Sequence, residues 1–257
     1  MNYIGIDIGS TCAKTVVLNE KKEIIQEFVQ PTGWSSVDTA EEIHQKLELA
    51  GISLSDDSSC CVATGYGRIS VPYADKAVTE ITCHALGAVH LFQQPDLTVI
   101  DIGGQDTKII QIEQGFVKDF IMNDKCAAGT GRFLEVMANT LSLRPNEMFD
   151  LARLGSDTTI SSMCTVFAES EVIGLIGKGE PKENIAYAVV DSTIRKVAAQ
   201  VSRMNGEMST FCLTGGLCEC EYIREALSKK LGKEVISSPD ARYAGAISAA
   251  LSAMKIR

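Results

Sequence analysis

The chain has 257 residues, and 24 lysines and arginines against 33 aspartates and glutamates give it a formal charge of −9. An acidic domain lacks the basic footprint that phosphate backbones require, so we expect no nucleic-acid partner. Hydrophobic residues make up 45% and charged residues 22%, which is typical of a chain that folds around a core. There is no apolar run of the roughly 20 residues that span a bilayer, and the first residues do not resemble a signal peptide. We therefore expect a cytoplasmic protein with no membrane partner.

The hydrophobic pattern predicts an α/β protein, because strand-like segments alternate with segments that have the apolar spacing of helices. The first half contains a hairpin at residues 3–18, a helix at 39–50, a buried strand at 60–64, a helix at 79–92 and a second hairpin at 97–110. The second half contains helices at 130–142, 145–154, 165–178 and 184–203, a strand at 210–214, a helix at 220–231, a strand at 234–237 and a helix at 243–255.

The two hairpins read alike. In each, an apolar strand ends in Asp-Ile-Gly, and a lysine follows the glycine by five positions. One hairpin used twice indicates a duplicated architecture. We therefore predict a first subdomain at residues 1–95, joined by the closing helix at 243–257, and a second subdomain at residues 96–242.

The two hairpin turns have the composition of a polyphosphate site. An aspartate that ends a strand, followed by glycine, places a carboxylate at the sheet edge and lets the backbone N–H groups of the turn approach a phosphate. Magnesium takes one or two carboxylates and keeps several waters, so Asp7 and Asp101 are suited to hold Mg²⁺ through water. A third strand ends in the pair Gly215-Gly216. Either turn alone could be an ordinary hairpin turn, and the chain has neither a Walker loop nor a GxGxxG motif.

Further residues of the turns are predicted to contact the nucleotide. Those whose amides or hydroxyls would bind phosphate are Gly9, Ser10, Thr11, Gly103, Gly104 and Thr107. Those whose charge would offset the phosphates are Lys14 and Lys108. Two such hairpins facing one another would clamp a polyphosphate from two sides.

The nine cysteines are too sparse for a disulfide scaffold, so a special one is expected to be a ligand or a redox group. Cys126 and Cys164 each precede a predicted helix, whose N-terminus favours a thiolate. Two such thiolates from each of two chains, related by a two-fold axis, would complete the four-cysteine set of an iron-sulfur cluster. The alternative is a pair of separate buried thiols. The others are interpreted as ordinary thiols: Cys12, Cys60, Cys61, Cys83, Cys212, Cys218 and Cys220.

The two hairpins and the glycine turn resemble the phosphate and adenosine motifs of the actin, Hsp70 and sugar-kinase ATPase superfamily. Residues 101–108, 123–135 and 164–172 are similar to the activators of 2-hydroxyacyl-CoA dehydratases, in the benzoyl-CoA reductase and hydroxyglutaryl-CoA dehydratase ATPase family. The likeness covers nearly the whole chain and departs from the family pattern at Cys12 and at residues 217–220. It implies a two-domain, ribonuclease H-like α/β fold with ATP in the interdomain cleft, and it assigns Gly215 and Gly216 to the adenosine.

The resemblance also implies a homodimer with one 4Fe-4S cluster, held by two cysteines of each subunit that map onto Cys126 and Cys164. It implies an ATP-hydrolysing electron carrier. Such a protein takes one electron from a reduced ferredoxin or flavodoxin and passes it at low potential to a partner iron-sulfur dehydratase or reductase. We expect nucleotide hydrolysis to move the helices that follow the two cysteines.

Within the second hairpin, Gln105 is predicted to position the attacking water, and Asp106 is the alternative as a base. Glu169 and Glu171 lie in the first turns of a predicted helix, where the helix dipole alone explains carboxylates, so they receive no role. The histidines show no ligand spacing and are interpreted as core or surface residues: His44, His84 and His90.

Two other functions fit parts of the sequence. A small-molecule kinase, such as an amino-sugar kinase, shares the ATP core, but no segment indicates a pocket for an acceptor hydroxyl. A nucleotide-dependent regulator would bind ATP and a partner without transferring electrons. Neither alternative gives a reason for two cysteines that each precede a helix.

Overall fold

The computed structural model describes residues 1–54, 58–162, 164–205 and 210–256. The chain divides into two compact units, which we call the first and the second unit. The first comprises Met1–Asp96, Ile112–Lys118 and Asp240–Arg257, and the second comprises Leu97–Gln111 and Asp119–Pro239. Among the described residues, no helix combines the length and the apolar composition that a bilayer crossing requires.

The first sheet has strands β1 (Asn2–Ile8), β2 (Cys12–Leu18), β3 (Ile24–Pro31), β4 (Ser59–Thr64) and β5 (Lys76–Ala77). Their order is β3-β2-β1-β4-β5. The helices of this unit are α1 (Ser36–Leu49), α2 (Glu80–Phe92) and α8 (Ala244–Ala253). The central strand β1 is buried from Ile4 to Ile8, as expected for a strand that is covered on both faces.

The second sheet has strands β6 (Leu97–Ile102), β7 (Thr107–Glu113), β8 (Phe116–Asn123), β9 (Thr210–Gly215) and β10 (Val235–Ile236). Their order is β10-β9-β6-β7-β8. The helices of this unit are α3 (Gly131–Thr140), α4 (Pro145–Ala152), α5 (Thr165–Gly177), α6 (Lys182–Val201) and α7 (Glu221–Leu231). One buried cluster joins strands and helices, with Phe133, Met137, Val189 and Leu213 among its members.

The two sheets repeat one topology. Read in reverse, the second sheet is β8-β7-β6-β9-β10, which matches the first strand for strand. β1 pairs in parallel with β4, and Asp7 lies opposite Thr64. β6 pairs in parallel with β9, and Asp101 lies opposite Thr214. The duplicated architecture predicted from the hairpins is therefore confirmed.

Close backbone packing explains why α8 is rich in alanine. The helix packs against β1, β4 and α2, and it is buried from Ala244 to Ala250. A Cβ atom added at Gly5 would lie 1.9 Å from the carbonyl oxygen of Ala246, and one added at Gly87 would lie 1.9 Å from that of Ala244. Only glycine allows these approaches, so the two positions set how close α8 comes to the sheet and to α2.

All eight predicted helices are present, with ends shifted by at most three residues. The strands β3, β5 and β8, which were not predicted from the sequence, all lie at sheet edges. β5 has two residues, and β8 is exposed over its first five, so neither carries a clear apolar pattern. Residues 112–118, which the sequence analysis placed in the second subdomain, belong to the first unit.

We expect Gly87→Ala to lower the free energy of unfolding by about 1–3 kcal/mol or more, because the added methyl group overlaps the carbonyl of Ala244. Gly174→Ala is the matched control, since Gly174 is also helical and nothing lies within 4 Å of its Cβ position. Alanine in a helix is favoured over glycine by up to about 1 kcal/mol, so the control is expected to be neutral or stabilising. Urea unfolding measures both variants, and equal stability would contradict the close approach.

Candidate functional site

The two predicted phosphate turns share one backbone geometry. In the first turn, the N–H of Gly9 donates to the carbonyl of Cys12 at 3.1 Å, and in the second, the N–H of Gly103 donates to the carbonyl of Asp106 at 2.9 Å. Each turn follows a strand that carries the aspartate and precedes a strand that carries the lysine. The repeated motif is therefore a repeated local structure.

Asp7 is the buried carboxylate of the first turn. Two basic side chains approach its Oδ2 atom, with Nε2 of His84 at 3.9 Å and Nζ of Lys14 at 4.0 Å. Both distances exceed that of a direct hydrogen bond, so neither group neutralises the carboxylate by contact. Gly245 packs on the same atom, since a Cβ there would lie 2.7 Å from it. A hydrated cation is a partner that such a carboxylate can accept.

Asp101, the equivalent carboxylate of the second unit, is held by direct contacts. Oγ1 of Thr214 donates to Oδ1 of Asp101 at 2.8 Å, and Nζ of Lys108 lies 3.4 Å from Oδ2. Lys108 is buried and also donates to Asp106 at 2.6 Å. In this structure Lys108 therefore balances two carboxylates of the protein, and its predicted part in offsetting phosphate charge stays a prediction.

A threonine-glycine pair ends the parallel strand beside each aspartate. Gly65 has a φ of +85° and Gly215 has a φ of +83°. A Cβ at Gly65 would lie 2.4 Å from Oδ1 of Asp7, and one at Gly215 would lie 2.9 Å from Oδ1 of Asp101. Both positions require glycine for backbone conformation and for space. The sequence analysis assigned only Gly215 to the site, although the shared Thr-Gly dipeptide was a signal for Gly65.

The outer residues of the turns are accessible to a ligand. Thr11 and Gln105 are exposed, and Ser10 and Gly104 are partly exposed. Gly216 is exposed, and nothing lies within 4 Å of its Cβ position. Their assignment to phosphate, water and adenosine stays a prediction.

Thr107 supplies the predicted hydroxyl of the second turn. Its side chain is fully buried, and Oγ1 donates to the carbonyl of Gly129 at 2.7 Å. The side chain turns into the interior at the start of β7 and is used to hold the loop before α3. In this structure the hydroxyl is therefore used within the protein, and its predicted phosphate contact stays a prediction.

The second turn also supports the start of α3. The N–H of Gly131 donates to the carbonyl of Gly103 at 2.9 Å, and the N–H of Arg132 donates to that of Gly104 at 2.8 Å. The first N–H groups of a helix have no partner inside the helix, and here the turn supplies two of them with acceptors. With the Thr107 bond, three hydrogen bonds join the second turn to residues 129–132.

Cys126 lies in the loop between β8 and α3, five residues before the helix begins. The N-cap of α3 is Thr130, so Cys126 precedes the helix as the sequence predicts, and it lies four residues before the cap. Asn123 shapes the loop, because its side-chain amide donates to the carbonyl of Cys126 at 2.8 Å. Nζ of Lys196, on α6, lies 3.8 Å from Sγ of Cys126. The positive charge beside this sulfur therefore comes from a lysine.

Cys164 is the N-cap residue of α5, in the position that the sequence predicts, and it is exposed. Its carbonyl accepts the N–H of Ala168 at 2.9 Å and so begins the helix. On α5, Glu171 accepts hydrogen bonds from Ser161 and Ser162, two residues of the segment that leads to Cys164.

The neighbourhoods of the two cysteines border one cavity of about 270 Å³ in the second unit. Asn123 and Ala128 line it from the Cys126 loop, Ser161 and Ser162 line it from the segment before Cys164, and Lys196 lines it from α6. Within the part of the chain that the structure describes, no group of three or more His, Cys, Asp or Glu side chains could hold a metal ion.

Five of the other cysteines have the properties of structural thiols. Burial raises the pKa of Cys83 to about 11 and also raises the pKa values of Cys61 and Cys212. Cys218 is buried, and burial raises the pKa of Cys220. A raised pKa disfavours the thiolate that binds a metal, so Cys220 lacks the environment of a ligand.

His84, like Gly65, lies near the site and was not predicted from the sequence. It is buried on α2, and a Cβ at Gly245 would lie 3.3 Å from its Nε2 atom. α2 and α8 thus meet at Asp7. A single histidine within an apolar helix gives no ligand spacing, so only the packing of distant elements reveals its place.

We expect Thr107→Val to destabilise the protein, because this isosteric side chain leaves the carbonyl of Gly129 without its donor. An unpaired buried acceptor costs about 1–3 kcal/mol. Thr107→Ser keeps the hydroxyl and is expected to retain most of the stability. Urea unfolding gives the loss, and hydrogen exchange at residues 129–132 localises it. Equal behaviour of the two variants would show that this hydrogen bond does not hold the loop.

Residues 4–253 match the BadF/BadG/BcrA/BcrD ATPase family. The chain is 44% identical over 257 residues to the (R)-2-hydroxyglutaryl-CoA dehydratase activating ATPase of Acidaminococcus fermentans, which covers 98% of this chain and 96% of the relative. It is 41% identical over 253 residues to the activator of lactoyl-CoA dehydratase of Anaerotignum propionicum, which covers 98% of this chain and 96% of the relative.

The crystal structure of component A of the Acidaminococcus fermentans (R)-2-hydroxyglutaryl-CoA dehydratase matches with a TM-score of 0.90 at 42% identity, covering 100% of this chain and 98% of that chain. The activator of the 2-hydroxyisocaproyl-CoA dehydratase from Clostridium difficile, with bound ADPNP, matches with a TM-score of 0.89 at 34% identity, covering 100% and 95%. A ROK family glucokinase from Streptomyces griseus, at 17% identity and a TM-score of 0.62, shares the fold alone and covers 99% and 100%.

These likenesses confirm the α/β fold of the actin, Hsp70 and sugar-kinase type that the hairpins predict. They also confirm the resemblance drawn from residues 101–108, 123–135 and 164–172. The family match extends over nearly the whole chain, from residue 4 to residue 253. The chain therefore belongs to the BadF/BadG/BcrA/BcrD ATPase family.

Proposed function

We propose that the chain is an ATP-hydrolysing activator that transfers a low-potential electron to a partner iron-sulfur enzyme of the 2-hydroxyacyl-CoA dehydratase type. The observation that carries this proposal is the set of three hydrogen bonds between the second turn and residues 129–132. The Cys126 loop ends on these residues, so a change at a phosphate-binding turn reaches a candidate redox ligand through direct contacts. The relatives at 44% and 41% identity are named as a dehydratase activating ATPase and a dehydratase activator, which supports the activator part of the proposal.

In the proposed mechanism the accessible turn residues bind the phosphates of ATP and ADP. The phosphate donors are the backbone and hydroxyl groups of Gly9, Ser10, Thr11, Gly103 and Gly104, and the adenosine lies on Gly215 and Gly216. Asp7 and Asp101 would hold Mg²⁺ through water, and Asp7 fits this role because its basic neighbours stay 3.9 and 4.0 Å away. When bound, magnesium would offset the charge of the phosphates.

Gln105 and Asp106 are the candidates for handling the attacking water. Gln105 is exposed in the second turn, where its amide can orient a water towards a phosphate held by that turn. Asp106 accepts a hydrogen bond from Lys108 at 2.6 Å, so its carboxylate already has a partner within the protein. We assign the water to Gln105, and we assign to Asp106 the task of orienting Lys108.

Cys126 and Cys164 are proposed to hold one 4Fe-4S cluster together with the same two residues of a second copy of the chain. Both sulfurs are outside disulfides, and their flanking residues border one cavity. Lys196, with Nζ 3.8 Å from Sγ of Cys126, would offset the negative charge of four thiolates. When bound, the cluster would accept and release one electron.

The proposed electron donor is a reduced ferredoxin or flavodoxin, and the proposed acceptor is an iron-sulfur dehydratase or reductase. Next to Cys164, α5 exposes the apolar side chains of Val166, Phe167 and Ile173. An apolar helix face beside an exposed redox ligand fits a place where a second subunit or a partner is bound. A cytoplasmic location stays a prediction.

The two alternative functions receive less support. The likeness to a sugar kinase at 17% identity is one of fold alone. Within the described part of the chain, we find no feature that favours a small-molecule kinase or a regulator without electron transfer over the activator.

Asp7→Asn is expected to lower Mg²⁺-dependent ATP turnover by about 100-fold or more, because the metal site loses a charged ligand. The same variant is expected to keep or raise the free energy of unfolding, since a buried charge without a direct hydrogen bond is costly. Turnover is measured over a range of Mg²⁺ concentrations, and unfolding is measured in urea.

Asp101→Asn is the matched comparison for Asp7→Asn, because it changes the equivalent residue of the second unit. This variant weakens the contact with Lys108, so both its turnover and its stability are expected to fall. ATP turnover at the wild-type rate in Asp7→Asn would refute the assignment of Asp7 to the metal.

Cys126→Ser and Cys164→Ser are each expected to lose iron and sulfide while ATP binding is retained. The wild-type protein, purified without oxygen, is expected to contain about four irons and four sulfides per dimer. Cys83→Ser is the control, because Cys83 is a fully buried thiol of the first unit and is expected to leave the iron content unchanged. An iron-free wild-type protein with ordinary ATP turnover would contradict electron transfer and favour a kinase or a regulator.

A further inference from the structure

Side chains of α6 hold the irregular segment that leads to Cys164. The N–H of Ser156 donates to Oδ1 of Asn184 at 3.1 Å, and the carbonyl of Ile160 accepts from Nη2 of Arg195 at 2.9 Å. Backbone groups outside helices and strands need such partners when they are removed from water. The segment is therefore fixed against α6 at two points before it reaches the cysteine.

The next two residues are held by Glu171, which belongs to α5. Its carboxylate accepts the N–H of Ser161 at 3.0 Å, the N–H of Ser162 at 3.1 Å and the hydroxyl of Ser161 at 3.0 Å. Cys164 lies between these serines and the helix, as the N-cap of α5. The carboxylate thus ties the two serines that precede the cysteine to the helix that follows it.

These hydrogen bonds persist at neutral pH. Burial alone would raise the pKa of Glu171, but the N–H and hydroxyl donors of Ser161 and Ser162 outweigh burial and lower the pKa from its ordinary value of 4.5. Hydrogen bonds to an ionised acceptor are stronger than those between neutral groups. The stabilisation is present above the ordinary value and is lost only as the pH falls through the lowered pKa.

We propose that Glu171 is a positioning residue that fixes Cys164 to α5, so that this thiolate moves together with the helix and meets the cluster in one orientation. The inference rests on the proposed function, since it gives a role to a residue that acts on a proposed cluster ligand. Glu171 acts through Ser161 and Ser162. Cys126 is anchored separately, because its loop is bonded to the second turn and its sulfur faces Lys196.

Glu169 provides a matched control on the same helix. It is also a partly exposed glutamate, and its carboxylate accepts the hydroxyl of Thr140, on α3, at 3.1 Å. The two glutamates therefore share residue type, helix and a hydrogen-bonded carboxylate. They differ in that Glu171 holds the segment leading to Cys164 and Glu169 contacts another helix.

The test compares Glu171→Gln with Glu169→Gln in the full chain, purified without oxygen. In Glu171→Gln, an NH₂ group replaces one acceptor oxygen that faces the serine N–H groups. Amide hydrogen exchange at Ser161 and Ser162 is expected to rise about tenfold or more. The EPR spectrum of the reduced protein is expected to change shape or to lose intensity with the iron. Glu169→Gln is expected to match the wild type in both measurements.

Ser161→Ala covers the case in which Glu171→Gln fails to fold, because it removes only the hydroxyl bond. It is expected to give a smaller change of the same kind in exchange and in the EPR spectrum. Faster exchange with an unaltered spectrum and iron content would overturn the positioning role. Unaltered exchange in Glu171→Gln would show that Glu171 does not hold Ser161 and Ser162. A wild-type protein without iron would instead overturn the proposed function, and the cluster role of Glu171 with it, whatever the exchange rates are.

Discussion

Three hydrogen bonds between the second turn and residues 129–132 are the constraint on which the proposed coupling depends. The carbonyls of Gly103 and Gly104 accept the first N–H groups of α3. A peptide group is planar and rigid, so an N–H group that is drawn towards a phosphate takes the adjoining carbonyl with it. A ligand on the amide side of this turn therefore acts on the helix start at the carbonyl side. Because these elements belong to the second unit, this link needs no movement of a whole domain.

Duplication gives Asp7 and Asp101 equivalent positions, but their neighbours differ. Asp101 receives a hydrogen bond from Thr214 at 2.8 Å and lies 3.4 Å from Lys108, so protein groups fix its orientation. Among the described residues, the basic groups that approach Asp7 are His84 and Lys14, at the longer distances of 3.9 and 4.0 Å. A carboxylate that is already paired by the protein loses those bonds when it turns to a cation, whereas one with long contacts does not. In the proposed site, Asp7 is therefore the carboxylate better suited to the metal, and Asp101 belongs to the more rigidly held turn.

The part of this arrangement that depends on local pattern could be predicted from the sequence. The Asp-Ile-Gly turns, the helices and Gly215 can all be recognised in short stretches of sequence, because strand ends and helical faces have a periodic pattern of apolar residues. The edge strands β3 and β8 were missed because exposed strands have a weaker pattern. Contacts between segments that are distant in the sequence have no local pattern from which they could be predicted. His84 reaches Asp7, Thr107 faces Gly129 and Lys196 approaches Cys126 only because the fold brings separate elements together.

The contact between Lys196 and Cys126 gives the proposed electron transfer a physical means of changing potential. A positive charge near a cluster stabilises the reduced form, which carries the extra electron, and so raises the reduction potential. Gly129 connects this contact to the second turn. Its carbonyl accepts a hydrogen bond from Thr107, and its backbone packs on Lys196, since a Cβ atom added at Gly129 would lie 3.2 Å from Cγ of that lysine. A shift of the turn that moves Gly129 would therefore change the distance of 3.8 Å between Nζ of Lys196 and Sγ of Cys126. A longer distance would stabilise the reduced cluster less and so lower its reduction potential. This is the direction required for electron transfer to a low-potential acceptor.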